Sequence, residues 1–226
     1  MRLAAALSND VRLQLRYGLY SVSVLMVVIW GGLILPLRGV LATPALLPAL
    51  VLVNLIVTSF YFMAALVLFE KGEGVLAALV VTPMRSGEYL VSKALSLTVL
   101  ATAETLLIAA VLFRQDVQWL RIIVGSLLLG FLYACAGFVM VVRYASINQF
   151  LMPSSVAVTL LLLPLLSHFG FVAEWVAEWL MAIHPAEPAM RWMRGGGVFA
   201  LGGALFWCAA GLLLARRELQ RFVVRP

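Results

Sequence analysis

Charge is scarce in this chain. Asp, Glu, Lys and Arg make up 12% of its 226 residues, where a soluble domain carries about 25%, and the mean hydropathy is +1.08. An ordinary soluble fold is excluded, and a single-domain integral membrane protein is expected. Histidine and cysteine are rarer still, at two each. His168 and His184 have no metal-ligand spacing with each other or with Cys135 and Cys208, so no metal site is expected. Both cysteines fall inside apolar runs and read as small buried residues, although their number also permits one disulfide. The phosphate-binding pattern G-x-x-x-x-G-K-[ST] is missing, so the chain is not expected to hydrolyse ATP itself. No H-E-x-x-H, G-x-S-x-G or paired-aspartate pattern occurs, and no serine or cysteine has a partner base nearby. We therefore expect no catalytic, cofactor-binding or metal-binding residue, and no enzyme.

Long apolar runs fill the chain instead. Six are near the roughly 20 residues that a hydrocarbon core demands, at about 17–37, 45–69, 90–113, 120–142, 151–172 and 195–215. The alternation of a membrane β-barrel does not appear, and lipid leaves only helices or closed barrels. The expected class is all-α, with six transmembrane helices. The first run is too long for a signal-peptide core and has no small-x-small cleavage site after it, so it reads as an anchor. Before it, residues 1–16 read as an amphipathic interfacial helix, with Leu3, Leu7, Val11 and Leu15 at four-residue spacing between polar positions. The net charge of +6 comes from arginines at the ends of apolar runs, which suits membrane lipids and not nucleic acid.

Basic residues also set an orientation. With the N-terminus inside, Arg2, Arg12, Arg16, Lys71, Arg85, Lys93, Arg143, Arg216, Arg217, Arg221 and Arg225 are cytoplasmic, and Arg38, Arg114, Arg121, Arg191 and Arg194 are outside. The excess lies inside, so both termini are expected in the cytoplasm. Residues 174–194 hold Trp175, Trp179, Trp192, Pro185 and Pro188, with Glu174 and Glu178 one helical turn apart. Short broken helices dipping into the outer leaflet fit this composition, as a cap on the bundle or as part of an outer gate. Gly130 with Ala134, and Gly196 with Ala200 and Ala204, have the small-xxx-small spacing of close helix pairs.

Two places carry polar residues that need a purpose. The first is the stretch 70–93, the longest charged interruption in the first half, with Glu70, Lys71, Glu73, Arg85, Glu88 and Lys93. Within it Val75 to Val81 is long enough for two helical turns and too short to cross a bilayer. Thr82-Pro83 stops it, because the residue before proline is pushed out of the helical region. An apolar helix of that size between charged flanks fits a groove on another protein. The second is Glu104, near the middle of the third run. A carboxylate at that depth costs about 2.5–3.5 kcal/mol on insertion scales, so it must face the bundle interior or a cavity. It contacts a cationic or hydrogen-bonding substrate there, or it makes a structural bond with Thr98, Thr102 or Asn54. Asn54 and the Thr58-Ser59 pair are weaker cases of the same kind.

The 70–93 stretch resembles the first cytoplasmic loop of ABC-2-type permeases, the membrane subunits of ATP-binding-cassette exporters. Their phrase E+..G....L..TP....EYL..K is met by Glu70, Lys71, Gly72, Leu79, Thr82, Pro83, Glu88, Tyr89 and Lys93. The opening Asn9-Asp10-Val11-Arg12-Leu13-Gln14-Leu15-Arg16-Tyr17-Gly18 is similar to small permeases of the fluoroquinolone-export group. The resemblance implies one ABC-2-type domain over residues 1–226, in the cytoplasmic membrane of a prokaryote, moving a small molecule, drug or lipid-like substrate outward. It implies two copies of an ATPase subunit, which hold ATP and magnesium, and a second permease subunit as homodimer or paralogous heterodimer. Glu70, Lys71, Glu73, Val75, Leu79, Pro83 and Arg85 would couple to the ATPase, and Glu104 and Asn54 would face the pathway. A haem-export-type permease and a non-transporting membrane scaffold are the alternatives.

Overall fold

Apolar length sets the architecture. The computed structural model describes residues 2–37, 46–75, 86–113 and 117–224. Among them every regular element is helical. Helix α1 is Arg2–Arg16 and α2 is Leu19–Ile34, continued by a tight turn at Leu35–Leu37. Helix α3 is Leu46–Gly72, α4 Ser86–Leu112, α5 Trp119–Val141 and α6 Ile147–His168. Two short helices, α7 (Glu174–Ile183) and α8 (Glu187–Met193), precede α9 (Val198–Val224). Five helices, α3 to α6 and α9, are long and apolar enough to cross a membrane. A sixth candidate arises only if α1 and α2 count together as one broken span; α2 itself has 16 residues. α1 meets α2 at 64°, and Gly18, at φ 72°, supplies the left-handed residue such a break requires. Tyr17 stacks on Phe69 at 4.7 Å and pins the corner.

The core is the α3–α4–α5 trio. In α3, 78% of the spanning window is buried, against 17% in α6 and in α9, so the last two flank the trio and show most of their surface. Leu52, Leu66, Leu90, Leu97, Leu129 and Phe138 are fully buried at the centre. At Ile56–Tyr61 the α3 backbone widens into a π-helical turn, and α5 meets it at glycine. A β-carbon on Gly137 would collide with the Phe60 carbonyl, and one on Gly130 would lie 3.2 Å from Ser59 Oγ. The Gly130–Ala134 spacing therefore serves packing within the subunit. Gly196 does not take part in a helix pair: it precedes α9 and lies against the Arg191 carbonyl in the turn after α8. Cys135 and Cys208 are buried and free of a disulfide.

The long helices run up and down, so the end of α3, the start of α4, the end of α5 and the end of α9 share one end of the bundle with α1. We call this the loop end. α7 and α8 lie at the other, the hairpin end. There Arg121 Nη1 donates to the carbonyls of Trp192 (3.1 Å) and Gly196 (3.0 Å), placing a cation at the negative C-terminus of α8. Trp175 and Trp179 stand 69% and 73% exposed on α7.

α1 turns two of its polar residues inward and leaves Asn9, Arg12 and Arg16 exposed. Asp10 and Gln14 are buried against α4, while Leu3, Val11 and Leu15 face outward. This orientation suits a helix whose outer surroundings are lipid.

Candidate functional site

Tyr89, Ser92, Lys93 and Ser96 recur at three- and four-residue spacing and so share one face of α4. All four are buried. Lys93 is the centre. Its ammonium lies 2.7 Å from Glu70 Oε1 at the end of α3 and 3.0 Å from Asp10 Oδ1 of α1, and its side chain is 0% exposed. Tyr89 donates its hydroxyl to Glu70, and Ser92 donates its own to Asp10. Gln14 Nε2 donates to Ser96 Oγ at 2.8 Å, and the Tyr89 ring lies 5.0 Å from the Lys93 ammonium. One buried cation thus ties α1, α3 and α4 together. Removing one member of such a cluster costs about 3–5 kcal/mol, because the remaining charges stay buried without compensation.

Lys71 turns the other way, since neighbours on a helix point about 100° apart. Its ammonium takes the carbonyls of Val142 (2.6 Å), Tyr144 (2.7 Å) and Val141 (3.4 Å) at the C-terminus of α5, where a cation is favoured. The Phe222 ring of α9 lies 4.7 Å away. Adjacent residues at the end of α3 therefore fasten it to α1 and α4 on one side, and to α5 and α9 on the other.

Past this anchorage the chain leaves the bundle. Glu73 is at the surface and pairs with Arg16 at 3.2 Å, with side-chain exposures of 39% and 66%, a pairing of little energetic weight. Gly74 takes φ 72°, and Val75 is 37% exposed. Leu79, Pro83 and Arg85, with most of the expected loop helix, lie outside the described residues. Of the seven coupling residues read from the sequence, Glu70 and Lys71 are thus committed inside the subunit. A carboxylate with 2% exposure is turned away from any partner's rim, because pairing it with Lys93 avoids the desolvation that a lone buried charge would suffer. Glu73 and Val75 stand at the surface.

A second polar centre lies midway along the bundle. Glu104 of α4 is 2% exposed and faces inward, beside Ser23 of α2 and Asn54 of α3. Neither neighbour bonds it in good geometry: both carboxylate oxygens, Ser23 Oγ, Asn54 Oδ1 and Thr102 Oγ1 are without a hydrogen-bond partner. Asn54 Nδ2 donates to Thr105 Oγ1 (3.3 Å), and Thr98 donates to its own helix at Ala94 (2.6 Å). The structure thus places Glu104 beside Asn54 and Ser23 without a hydrogen bond to either, and forms none from Glu104 to Thr98 or Thr102.

The sequence reading missed Asp10 and took Lys93 as the edge of a loop. A signal was present. Tyr89 and Lys93 are one helical turn apart, with Glu70 across a short loop from them, so one face of α4 offers a donor pair to an acid at the end of α3.

The profile of the fluoroquinolones export permease protein family matches residues 1–225. Two curated proteins of Mycobacterium tuberculosis, from strains CDC 1551 / Oshkosh and ATCC 25618 / H37Rv, are both named as fluoroquinolones export permease proteins. Each is 26% identical to this chain over 235 residues, covering 99% of the chain and 97% of the relative.

Proposed function

The chain belongs to the fluoroquinolones export permease family, and from that premise we propose that it is the membrane subunit of an ATP-driven exporter whose ATPase is a separate chain. It moves a small amphipathic or drug-like molecule outward across the cytoplasmic membrane, paired with a second permease subunit and two ATPase copies that hold ATP and magnesium. The loop end is cytoplasmic, with both termini, and α7–α8 dips into the outer leaflet. Residues 73–85, with Glu73, Val75, Leu79, Pro83 and Arg85, form the contact seized by the ATPase. The wiring behind that contact carries the reading. Both ends of the loop, Glu70 and Lys93, close on each other in a buried pair at 2.7 Å. A push on the loop therefore reaches α3, α4 and α1 as one body, a rigid unit whose two positions nucleotide can bias. Lys71 extends that body to α5 through its C-terminal carbonyls.

The test is co-purification. Val75→Asp and Leu79→Asp each put a carboxylate into the apolar stretch of the loop sequence and are expected to abolish recovery of the ATPase with the permease, while membrane insertion is unchanged. Full ATPase recovery with both variants would remove the loop from the interface.

A further inference from the structure

At the hairpin end, Glu187, Arg191 and Arg194 are spaced four and seven residues apart and so share one face of α8. Both arginines converge on a single carboxylate oxygen. Arg191 Nε lies 2.8 Å from Glu187 Oε1, and Arg194 Nη2 lies 2.6 Å from the same atom. The Glu187 side chain is 5% exposed, while those of Arg191 and Arg194 are 56% and 34% exposed. Among the described residues no other carboxylate pairs with either arginine, so one positive charge is left over. Side chains that merely reached for water would splay apart. These are drawn together beside a pocket of about 520 Å³, whose other walls include Gly196, Gly197, Phe199 and Ala200. The pocket therefore lies at the start of α9, where the first N–H groups of a 27-residue helix have no partner within it.

We propose that this pocket holds the phosphate of an anionic phospholipid, one lipid per chain, as a fixed ligand and not as cargo. Arg191 spends only Nε on Glu187. Its two terminal amines are left for phosphate oxygens, which a guanidinium fork grips in pairs. The N-terminus of α9 adds a positive field at the same place. A singly charged headgroup cancels the surplus charge. A zwitterionic one brings a cation of its own and leaves the surplus standing. The surroundings favour a lipid over a free anion. Phe199, in the pocket wall, is 98% exposed and its neighbour Val198 is 78% exposed, an apolar rim on which acyl chains can lie. Trp175 and Trp179 stand exposed on α7 at the same end of the bundle, and tryptophan is enriched where water meets lipid. Arg121, fixed on the carbonyls of Trp192 and Gly196, holds the turn that shapes the pocket. A lipid seated there joins α8 to the start of α9.

The test needs neither ATP nor transport, so its outcome is independent of the exporter reading. The full chain in detergent is titrated with dioleoylphosphatidylglycerol or with dioleoylphosphatidylcholine, and the lipids retained are counted by native mass spectrometry. The wild type is expected to retain one phosphatidylglycerol, preferred over phosphatidylcholine by about tenfold in affinity, the worth of one charge-assisted contact. Arg191→Gln, at an exposed side chain where folding is not at stake, makes the two lipids equal. Arg191→Lys keeps the charge and part of the preference. Gly197→Trp, at a position where a β-carbon meets nothing within 4 Å, fills the pocket and removes the retained lipid. Equal retention of both lipids by the wild type, or a preference that survives both Arg191→Gln and Gly197→Trp, overturns the proposal. So does displacement of the lipid by millimolar inorganic phosphate, which would mark a site for the free anion.

Discussion

At the scale of single residues, two buried polar side chains of α4 differ in kind. Lys93 has every partner its charge requires; Glu104 has two bare oxygens. For Lys93 the expected consequence is structural. Lys93→Met strands Asp10 and Glu70 and lowers stability by about 3–5 kcal/mol, read as an earlier unfolding midpoint in detergent. Neutralising the whole cluster, as Asp10→Asn, Glu70→Gln and Lys93→Met together, should restore most of that loss, since no lone charge remains. A triple variant as weak as the single one would show that packing, not charge, accounts for the loss. For Glu104 the exporter reading proposed above makes the expected consequence functional. Glu104→Gln keeps the shape and replaces the carboxyl with an amide, so insertion and stability are expected to hold while transport falls at least tenfold. Unchanged transport at unchanged expression would take Glu104 out of the pathway. The sequence located Glu104 by depth alone. It could not locate Asp10, because a charged residue in an amphipathic N-terminal helix reads as solvated until the neighbouring helix is placed.

At the scale of elements, α6 and the hairpin are fitted to each other. Pro164 has no N–H and leaves the Leu160 carbonyl, four residues earlier, without its helical donor. His184 Nε2–H donates to that carbonyl at 3.0 Å, while Nδ1 accepts the Ala186 N–H at 3.2 Å. This pair of bonds needs a neutral ring, since a proton on Nδ1 would face the Ala186 donor. Burial pushes the His184 pKa below its ordinary value, opposed in part by the Leu160 carbonyl and the Glu187 carboxylate. Arg191 and Arg194 already hold Glu187, at 2.8 and 2.6 Å. The sign follows from linkage. A histidine with a depressed folded pKa contributes stability above its unfolded value of about 6.5, and loses it as pH falls through the folded value. The melting temperature of the wild type should therefore fall between pH 7 and pH 5 more steeply than that of His184→Gln. Parallel profiles would mean that the ring is not the group that titrates. Both prolines of α6 were visible in the sequence. The histidine that answers one of them was not, because the two are about twenty residues apart and meet only when the hairpin folds back.

At the scale of the whole molecule, the exposed surface is divided by chemistry. The outer faces of α2, α6 and α9 are apolar, with Val24, Val28, Leu33, Phe199 and Phe206 among the exposed side chains. In a membrane protein these meet lipid or a second subunit, and the second subunit belongs to the exporter reading proposed above. The loop end gathers Arg16, Glu73, Arg143, Glu218 and Arg221 in exposed or half-exposed pairs. In the exporter reading proposed above, that is the surface offered to a soluble partner, and the carboxylate introduced at Val75 probes it there.

Sequence alone determined the helical class, the apolar stretches long enough to cross, the loop that interrupts them and the depth of Glu104. Each is a property of a local run, because lipid forces the backbone to bond within its own segment. Tertiary structure alone decided that Glu70 turns inward to Lys93 and Asp10, that Lys71 closes the end of α5, and that Arg121 of α5 caps the end of α8. These depend on which faces of distant helices meet, and a run of leucines and alanines carries little record of rotation about its own axis.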